Sequence, residues 1–254
     1  MARPIFVHLL PALFEPAELR GGIAVVMDVL RATSTTIQAL ASGATCVVPC
    51  GEIDEARRKA AEVAPGTALL GGERGGLPIP GFDLGNSPGE YTPQVVRGKR
   101  IVFTTTNGTR ALIRAQEARR VLIGAISNLS AIVGVLEHES SPVHLVCAGT
   151  DGRITLEDVL CAGGIARCLH LGAGDFEVAD DATLLAISLF ETCGRDYDRV
   201  LETLRQSRGG RNLIACGLES DIVHCAEQDR FAFVPELTRD AWEVRLPAGA
   251  KRSE

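Results

Sequence analysis

Five polar stretches of this sequence carry residue types and spacings suited to binding and chemistry at an anionic group. The first, Asp28-Val-Leu-Arg31-Ala-Thr33-Ser34-Thr35-Thr36, ends an apolar run on a carboxylate and opens a helical pattern on hydroxyls. That junction is where open α/β sheets bind ligands. Backbone N–H groups at the helix start, with Arg31 and the Ser34 and Thr35 hydroxyls, favour a phosphate, and Asp28 suits a divalent metal bridging to it. The plainer alternative is that Thr33 or Ser34 caps the helix while Asp28 accepts local backbone hydrogen bonds.

The second stretch, Thr104-Thr105-Thr106-Asn107-Gly108-Thr109, again lies between a strand and a helix pattern. Gly108 lets the backbone approach an anion and Asn107 can cap, so a second anion cradle is expected. The third is a long loop, Gly71-Gly-Glu73-Arg74-Gly-Gly76 followed by Gly81-Phe-Asp-Leu-Gly-Asn86-Ser87-Pro88. No Walker lysine follows these glycines and their spacing is not that of a dinucleotide fold, so nucleotide cofactors are disfavoured. Arg74 is expected to act as a bidentate anion clamp.

The fourth stretch runs from Cys147 through Asp151 and Arg153 to Thr155, Glu157 and Asp158. Thr155 and Asp158 have the spacing of a capping box, while Glu157 and Asp158 are equally candidates for magnesium ligation. Cys147 and Arg153 also match the Cys-x5-Arg spacing of thiolate phosphatases. The same spacing starts at Cys161 and Cys193, however, and Asp151 inside the loop would repel a phosphate. The fifth stretch, Ser207-Arg208-Gly-Gly-Arg211-Asn212, continues Arg205 in steps of three and leads to Asp221 and His224. Arg208 and Arg211 could hold a second anion, although a solvated basic stripe is the commoner origin of such a pattern. His224 alone reads as structural.

The elements that must position these residues are legible as alternation. Apolar, β-branched runs at Ile5–Leu10, Ile23–Met27, Cys46–Val48, Ala68–Leu70, Ile101–Phe103, Val121–Ile123 and Val143–Cys147 read as buried strands. Helical patterns fall at 34–42, 54–64, 109–117, 129–137, 156–169 and 182–193, and the chain stays helical through His224. Phe231–Val234 and Trp242–Leu246 read as a last antiparallel pair. The expected architecture is α/β, three-layered, with a mixed and mostly parallel sheet. No composition shift marks a linker, so residues 1–254 are expected to form one domain, with a functional loop at about 71–93.

Lys and Arg number 26 against 32 Asp and Glu, and the resulting −6 is dispersed, which excludes a nucleic-acid footprint and leaves small molecules as the default partner. The N-terminus lacks the features of a secretory signal and no apolar run suits a membrane span, so a cytoplasmic protein is expected. The 8 cysteines form neither a Cys-x-x-Cys pair nor a zinc ladder and are expected as reduced thiols.

Taken together, the Asp28–Thr35, Gly72–Gly76, Gly81–Pro88 and Thr104–Thr109 blocks, with Cys147-Ala-Gly149 and Glu157-Asp158, resemble the 2-phosphosulfolactate phosphatase family from about residue 20 to 230. The resemblance implies a magnesium-dependent hydrolase of the phosphate monoester of a sulfonated 2-hydroxy acid, serving coenzyme M biosynthesis. It further implies a cytoplasmic, dimeric enzyme with an α/β/α fold.

On this reading Mg2+ is held by Asp28 with Glu157 or Asp158. Arg31, Ser34, Thr35, Asn86, Thr106, Asn107, Gly108 and Thr109 surround the phosphoryl group. Arg74, with Arg208 or Arg211, takes the substrate's other anionic groups. A water attacks with Glu73 as a possible base, or Asp28 forms an aspartyl-phosphate. Against the latter, Leu30 occupies the place of the second acid in the haloacid-dehalogenase-type Asp-x-Asp motif. The rivals are a Cys147 thiolate and a non-catalytic sensor of a phosphorylated metabolite.

Overall fold

The computed structural model describes residues 2–172, 174–247 and 249. Residues 1, 173, 248 and 250–254 of the single-domain expectation lie outside the described residues. Among the described residues eleven strands make one sheet: β1 Arg3–His8, β2 Ile23–Met27, β3 Cys46–Pro49, β4 Ala68–Arg74, β5 Leu77–Pro78, β6 Arg100–Thr104, β7 Arg120–Gly124, β8 Val143–Cys147, β9 Phe176–Val178, β10 Glu236–Thr238 and β11 Glu243–Arg245. Their order is β5-β4-β6-β3-β11-β10-β7-β2-β8-β1-β9.

Two parallel blocks, β4-β6-β3 and β7-β2-β8-β1-β9, are joined in the middle of the sheet by the antiparallel hairpin β10–β11. The seam is narrow. Glu236 faces Leu122 on one side and Val244 faces Val47 on the other.

The helices are α1 Ala32–Ala41, α2 Ile53–Ala61, α3 Pro93–Val96, α4 Gly108–Arg114, α5 Leu129–Glu137, α6 Leu156–Leu171, α7 Asp181–Cys193, α8 Tyr197–Gln206, α9 Arg208–Ala215 and α10 Glu219–Ala226. All five residues of β2 are buried, as a strand covered on both faces requires. Ile23, Val25 and Met27 pack with α5, α6 and α7, whereas Ala24 and Val26 pack with α1 and α4 on the opposite face. These two cores make the three layers of an α/β/α fold. Gly163 sets the spacing of the first: a Cβ there would lie 1.9 Å from the Ala186 carbonyl oxygen of α7, so α6 and α7 approach backbone to backbone.

Two sequence expectations need correction. Phe231–Val234 is not a strand. The Phe231 N–H donates to the Ser127 carbonyl (2.8 Å) and the Phe233 carbonyl accepts from Asn128 Nδ2 (3.2 Å), so this apolar alternation plugs the loop after β7 instead of joining a ladder. The last pair begins five residues later, beyond Pro235, which has no N–H to contribute. The loop expected from residue 71 is in part strand, because β4 extends to Arg74 and turns through Gly75 and Gly76, both at positive φ, into β5.

Candidate active site

The segments that follow β2, β6 and β8 and the hairpin tip of β4–β5 converge, with α9 closing the far side, on a cavity of about 340 Å3. Asp28, Leu30, Arg31, Glu73, Asn86, Thr106, Asn107, Asp151, Asn212 and Cys216 are among the residues that line it. β2 and β6 are separated by four strands, yet a Cβ placed on Gly108 at the start of α4 would lie 2.8 Å from Asp28 Oδ2 and 2.7 Å from the Ala32 Cβ. Only glycine lets these two turns meet.

Asp28 leaves β2 into this meeting point. Its Oδ1 accepts the Ala32 N–H at 3.2 Å, and its own carbonyl accepts the Thr33 hydroxyl at 2.9 Å, which fixes the start of α1. Burial, then the nearby Asp158 charge, push the Asp28 carboxyl well above its ordinary range; the Ala32 amide and Arg31 oppose the shift, and Glu73 adds to it.

Arg31 is buried and spans the cavity wall. It donates to Asp221 Oδ2 (2.6 Å), Ser87 Oγ (3.0 Å) and the Gly76 carbonyl (2.9 Å). Glu73 ties two turns together: Oε1 accepts the Thr106 N–H at 2.7 Å and Oε2 the Gly76 N–H at 2.8 Å. Asn107 Oδ1 accepts the Asp151 N–H at 3.3 Å, joining the β6 and β8 turns. Asn86 is buried on the lining with its Oδ1 unpartnered.

Other sequence candidates point elsewhere. The Ser34 hydroxyl donates to the Val29 carbonyl (2.8 Å) and that of Thr35 to the Asn86 carbonyl (2.8 Å), so both are spent on holding backbone. Thr109 is buried against Thr105, its Oγ1 accepting the Thr105 N–H at 3.3 Å. Arg74 turns away from the cavity and donates to Thr104 Oγ1 (2.8 Å) and the Gly51 carbonyl (3.2 Å), which leaves Arg31 in the place expected of an anion clamp. Arg208 pairs with Asp151 at 3.1 Å beside the cavity, whereas Arg211 is exposed and donates to the Gln206 carbonyl.

Glu157 and Asp158 do not line the cavity. Asp158 is a strut: Oδ1 accepts the Val29 N–H (2.8 Å) and Oδ2 the Gly149 N–H (2.9 Å), so the turns after β2 and β8 are pinned to the start of α6. Thr155 is the N-cap of α6, but its hydroxyl reaches Asp158 Oδ2 (3.4 Å) and makes no cap bond to the backbone. Glu157 is buried under α9, where Oε2 has no partner and Oε1 would lie 2.3 Å from a Cβ on Gly209. Burial foremost pushes both carboxyls up. Among the described residues no three His, Cys, Asp or Glu side chains are grouped to hold a metal unaided.

Cys147 is fully buried, and burial, reinforced by Asp158, drives its thiol far above its ordinary value, so the thiolate alternative has neither access nor charge. Asp221 and Ser87, which flank Arg31, and Cys216 on the wall escaped the sequence reading as site residues. Asp221 gave one signal, an acid beside the Arg208–Arg211 stretch, but nothing local says which cation it meets.

No described helix is long and apolar enough to cross a membrane. The family model of 2-phosphosulpholactate phosphatase matches residues 8–240, a span that includes every turn of the cavity. A Symbiobacterium thermophilum protein named "Probable 2-phosphosulfolactate phosphatase" is 43% identical over 223 residues, covering 87% of this chain and 93% of the relative. A Deinococcus radiodurans protein of the same name is 42% identical over 248 residues, 97% of each chain, and one from Thermotoga petrophila is 39% identical over 239 residues, 94% of this chain and 98% of its own. Likeness that runs nearly end to end through all the segments meeting at Asp28 places the chain in the 2-phosphosulpholactate phosphatase family.

Proposed function

We propose that the protein is a phosphoric monoester hydrolase that converts 2-phospho-3-sulfolactate to 3-sulfolactate and inorganic phosphate, with Mg2+ as cofactor. The substrate comes from the relatives' name, and the cavity suits its class: about 340 Å3 holds a phosphorylated three-carbon acid. One observation carries the need for a cation. The lining presents Asp28, Glu73 and Asp151, and both nearby cations are already committed, Arg31 to Asp221 and Arg208, beside the cavity, to Asp151. A substrate with phosphate, carboxylate and sulfonate cannot enter so acidic a lining without added positive charge.

Asp28 is the carboxylate suited to hold that cation: it is buried, its charge is disfavoured without one, and Oδ2 faces the Gly108 turn. Mg2+ is commonly bound through one or two carboxylates, waters and substrate phosphate, so the lack of a three-residue cage does not disqualify the site. When bound, the ion would neutralise phosphoryl oxygens and polarise the phosphorus. Arg31, the Asn86 and Asn107 amides and the backbone N–H groups opening α4 would grip the remaining oxygens.

Water attacks in line, its oxygen bonds to phosphorus as the ester P–O bond breaks, and the proton the water gives up ends on the departing 2-oxygen, leaving inorganic phosphate. Glu73 already accepts N–H donors at both oxygens and serves to hold the Thr106 and Gly76 turns; its role as base is secondary to that. Leu30 on the lining offers no second acid for an aspartyl-phosphate route, which favours water over Asp28 as nucleophile. Arg208, released from Asp151, is placed to take a second anionic group. The same reading includes a cytoplasmic location, supported by eight free thiols. It also includes a homodimer, supported by the exposed Leu171, Leu184 and Leu185 on the α6–α7 side.

The test measures inorganic phosphate released from 2-phospho-3-sulfolactate and from other 2-phospho-hydroxy acids, with magnesium or with chelator. Release that needs the metal is expected. Saturable binding with no release in either condition would make the protein a sensor and overturn the reading.

A further inference from the structure

We propose that Asp221, with Ser87, is the positioning residue that aims the Arg31 guanidinium into the cavity. This rests on the cavity being the phosphate site, but not on which ester is cleaved.

The chain spends an unusual amount of structure on this one side chain. Asp221 lies on α10, 190 residues beyond Arg31. Both groups are buried, with side-chain exposures of 3% and 8%, and the Nη1–Oδ2 distance is 2.6 Å. Ser87 closes a triangle: its hydroxyl donates to the same Asp221 Oδ2 at 2.7 Å and accepts from Arg31 Nη1 at 3.0 Å. A fourth segment, the hairpin tip, fixes Nη2 through the Gly76 carbonyl at 2.9 Å. Three segments remote in sequence thus hold one planar fork, and donors of its five remain for a ligand in the cavity.

A site selected only to attract anions would have no use for Asp221, because its carboxylate offsets the attraction that Arg31 offers. What the pair supplies is direction. A freely rotating arginine binds phosphate in many poses, whereas a fixed one meets the charge that develops on the equatorial oxygens during transfer. The effect of losing Asp221 should therefore fall on kcat rather than on KM.

The measurements are phosphate-release kinetics and the NMR signals of the Arg31 guanidinium in the full chain. Asp221→Ala is expected to lower kcat about 100-fold with KM changed less than about threefold, and to collapse the slowly exchanging Arg31 Nη signals to an averaged one. Asp221→Asn, which keeps an acceptor oxygen at the same place, is expected to restore kcat to within about tenfold of the parent and to keep the signals distinct. Placed on Arg31→Ala, Asp221→Ala should cost nothing further, since it acts through the missing side chain.

Three results would overturn the proposal: an unchanged Arg31 signal in Asp221→Ala, a loss confined to KM, or full additivity with Arg31→Ala. If Asp221→Ala does not fold, Ser87→Ala removes two sides of the triangle, leaves the Arg31–Asp221 pair and should lower kcat about fivefold in the same pattern. If the parent protein releases phosphate from no ester, the proposed function falls, while the Arg31 signals still decide the positioning claim.

Discussion

Asp28 concentrates the electrostatic tension of the cavity, because burial and two acidic neighbours oppose its charge while one amide and Arg31 favour it. Asp28→Asn is expected to lower phosphate release about 1,000-fold, since the variant loses the proposed cation anchor. Its effect on stability should have the opposite sign. The folded state raises the carboxyl above its ordinary 3.8, so it binds the proton more tightly than the unfolded chain does, and stability falls as pH rises from about 4 through the folded value. In metal-free buffer Asp28→Asn should melt above the parent at pH 8 and close to it at pH 4, as scanning calorimetry would show. At this scale the sequence revealed residue types but not their directions. Asp28, Arg31, Thr106 and Asn107 reach the lining, yet Ser34 and Thr35 in the same run point to backbone carbonyls. Adjacent helical residues face directions about 100° apart, and which direction is inward depends on segments far along the chain.

Between elements, the close parallel pairing of β4 and β6 decides where Glu73 sits. Gly72 has φ +135°, and a Cβ on it would lie 1.9 Å from the Thr104 carbonyl oxygen of the paired strand. Gly72→Ala is expected to cost about 3 kcal/mol or more in thermal or denaturant unfolding, since both the backbone conformation and the strand approach are lost. Because Glu73 follows directly and ties Thr106 to Gly76, phosphate release should fall together with stability. Gly89→Ala, in the short 3-10 turn between β5 and α3 where nothing lies within 4 Å, should stay within about 0.5 kcal/mol of the parent and serves as the control. The strand–helix alternation through β8 was legible because buried β-branched runs have few other readings. The β10–β11 hairpin was displaced because Phe231–Val234 imitates a strand, and its insertion between β3 and β7 is a long-range pairing that no local pattern encodes.

For the molecule as a whole, the formal charge of −6 is a weak guide, and the distribution around the cavity is the stronger one. Three chain segments, the turns after β2 and β8 and the β4–β5 hairpin, each bring an acid or a base to the lining, so the acid excess there exists only after folding and could not be counted from composition. It has a thermodynamic consequence that does not require turnover. If phosphate and Mg2+ enter the cavity together, each must raise the affinity of the other by the same factor, because the coupling free energy belongs to the pair. Titration calorimetry with inorganic phosphate at constant ionic strength should show binding strengthened about 10- to 100-fold by Mg2+, and titration with Mg2+ should show the same gain when phosphate is present. Asp28→Asn should abolish the coupling while leaving weak phosphate binding at Arg31. Phosphate affinity equal in magnesium and in chelator would mean that Arg31 and the loop amides suffice against three carboxylates, and the metal would then have no place in the mechanism.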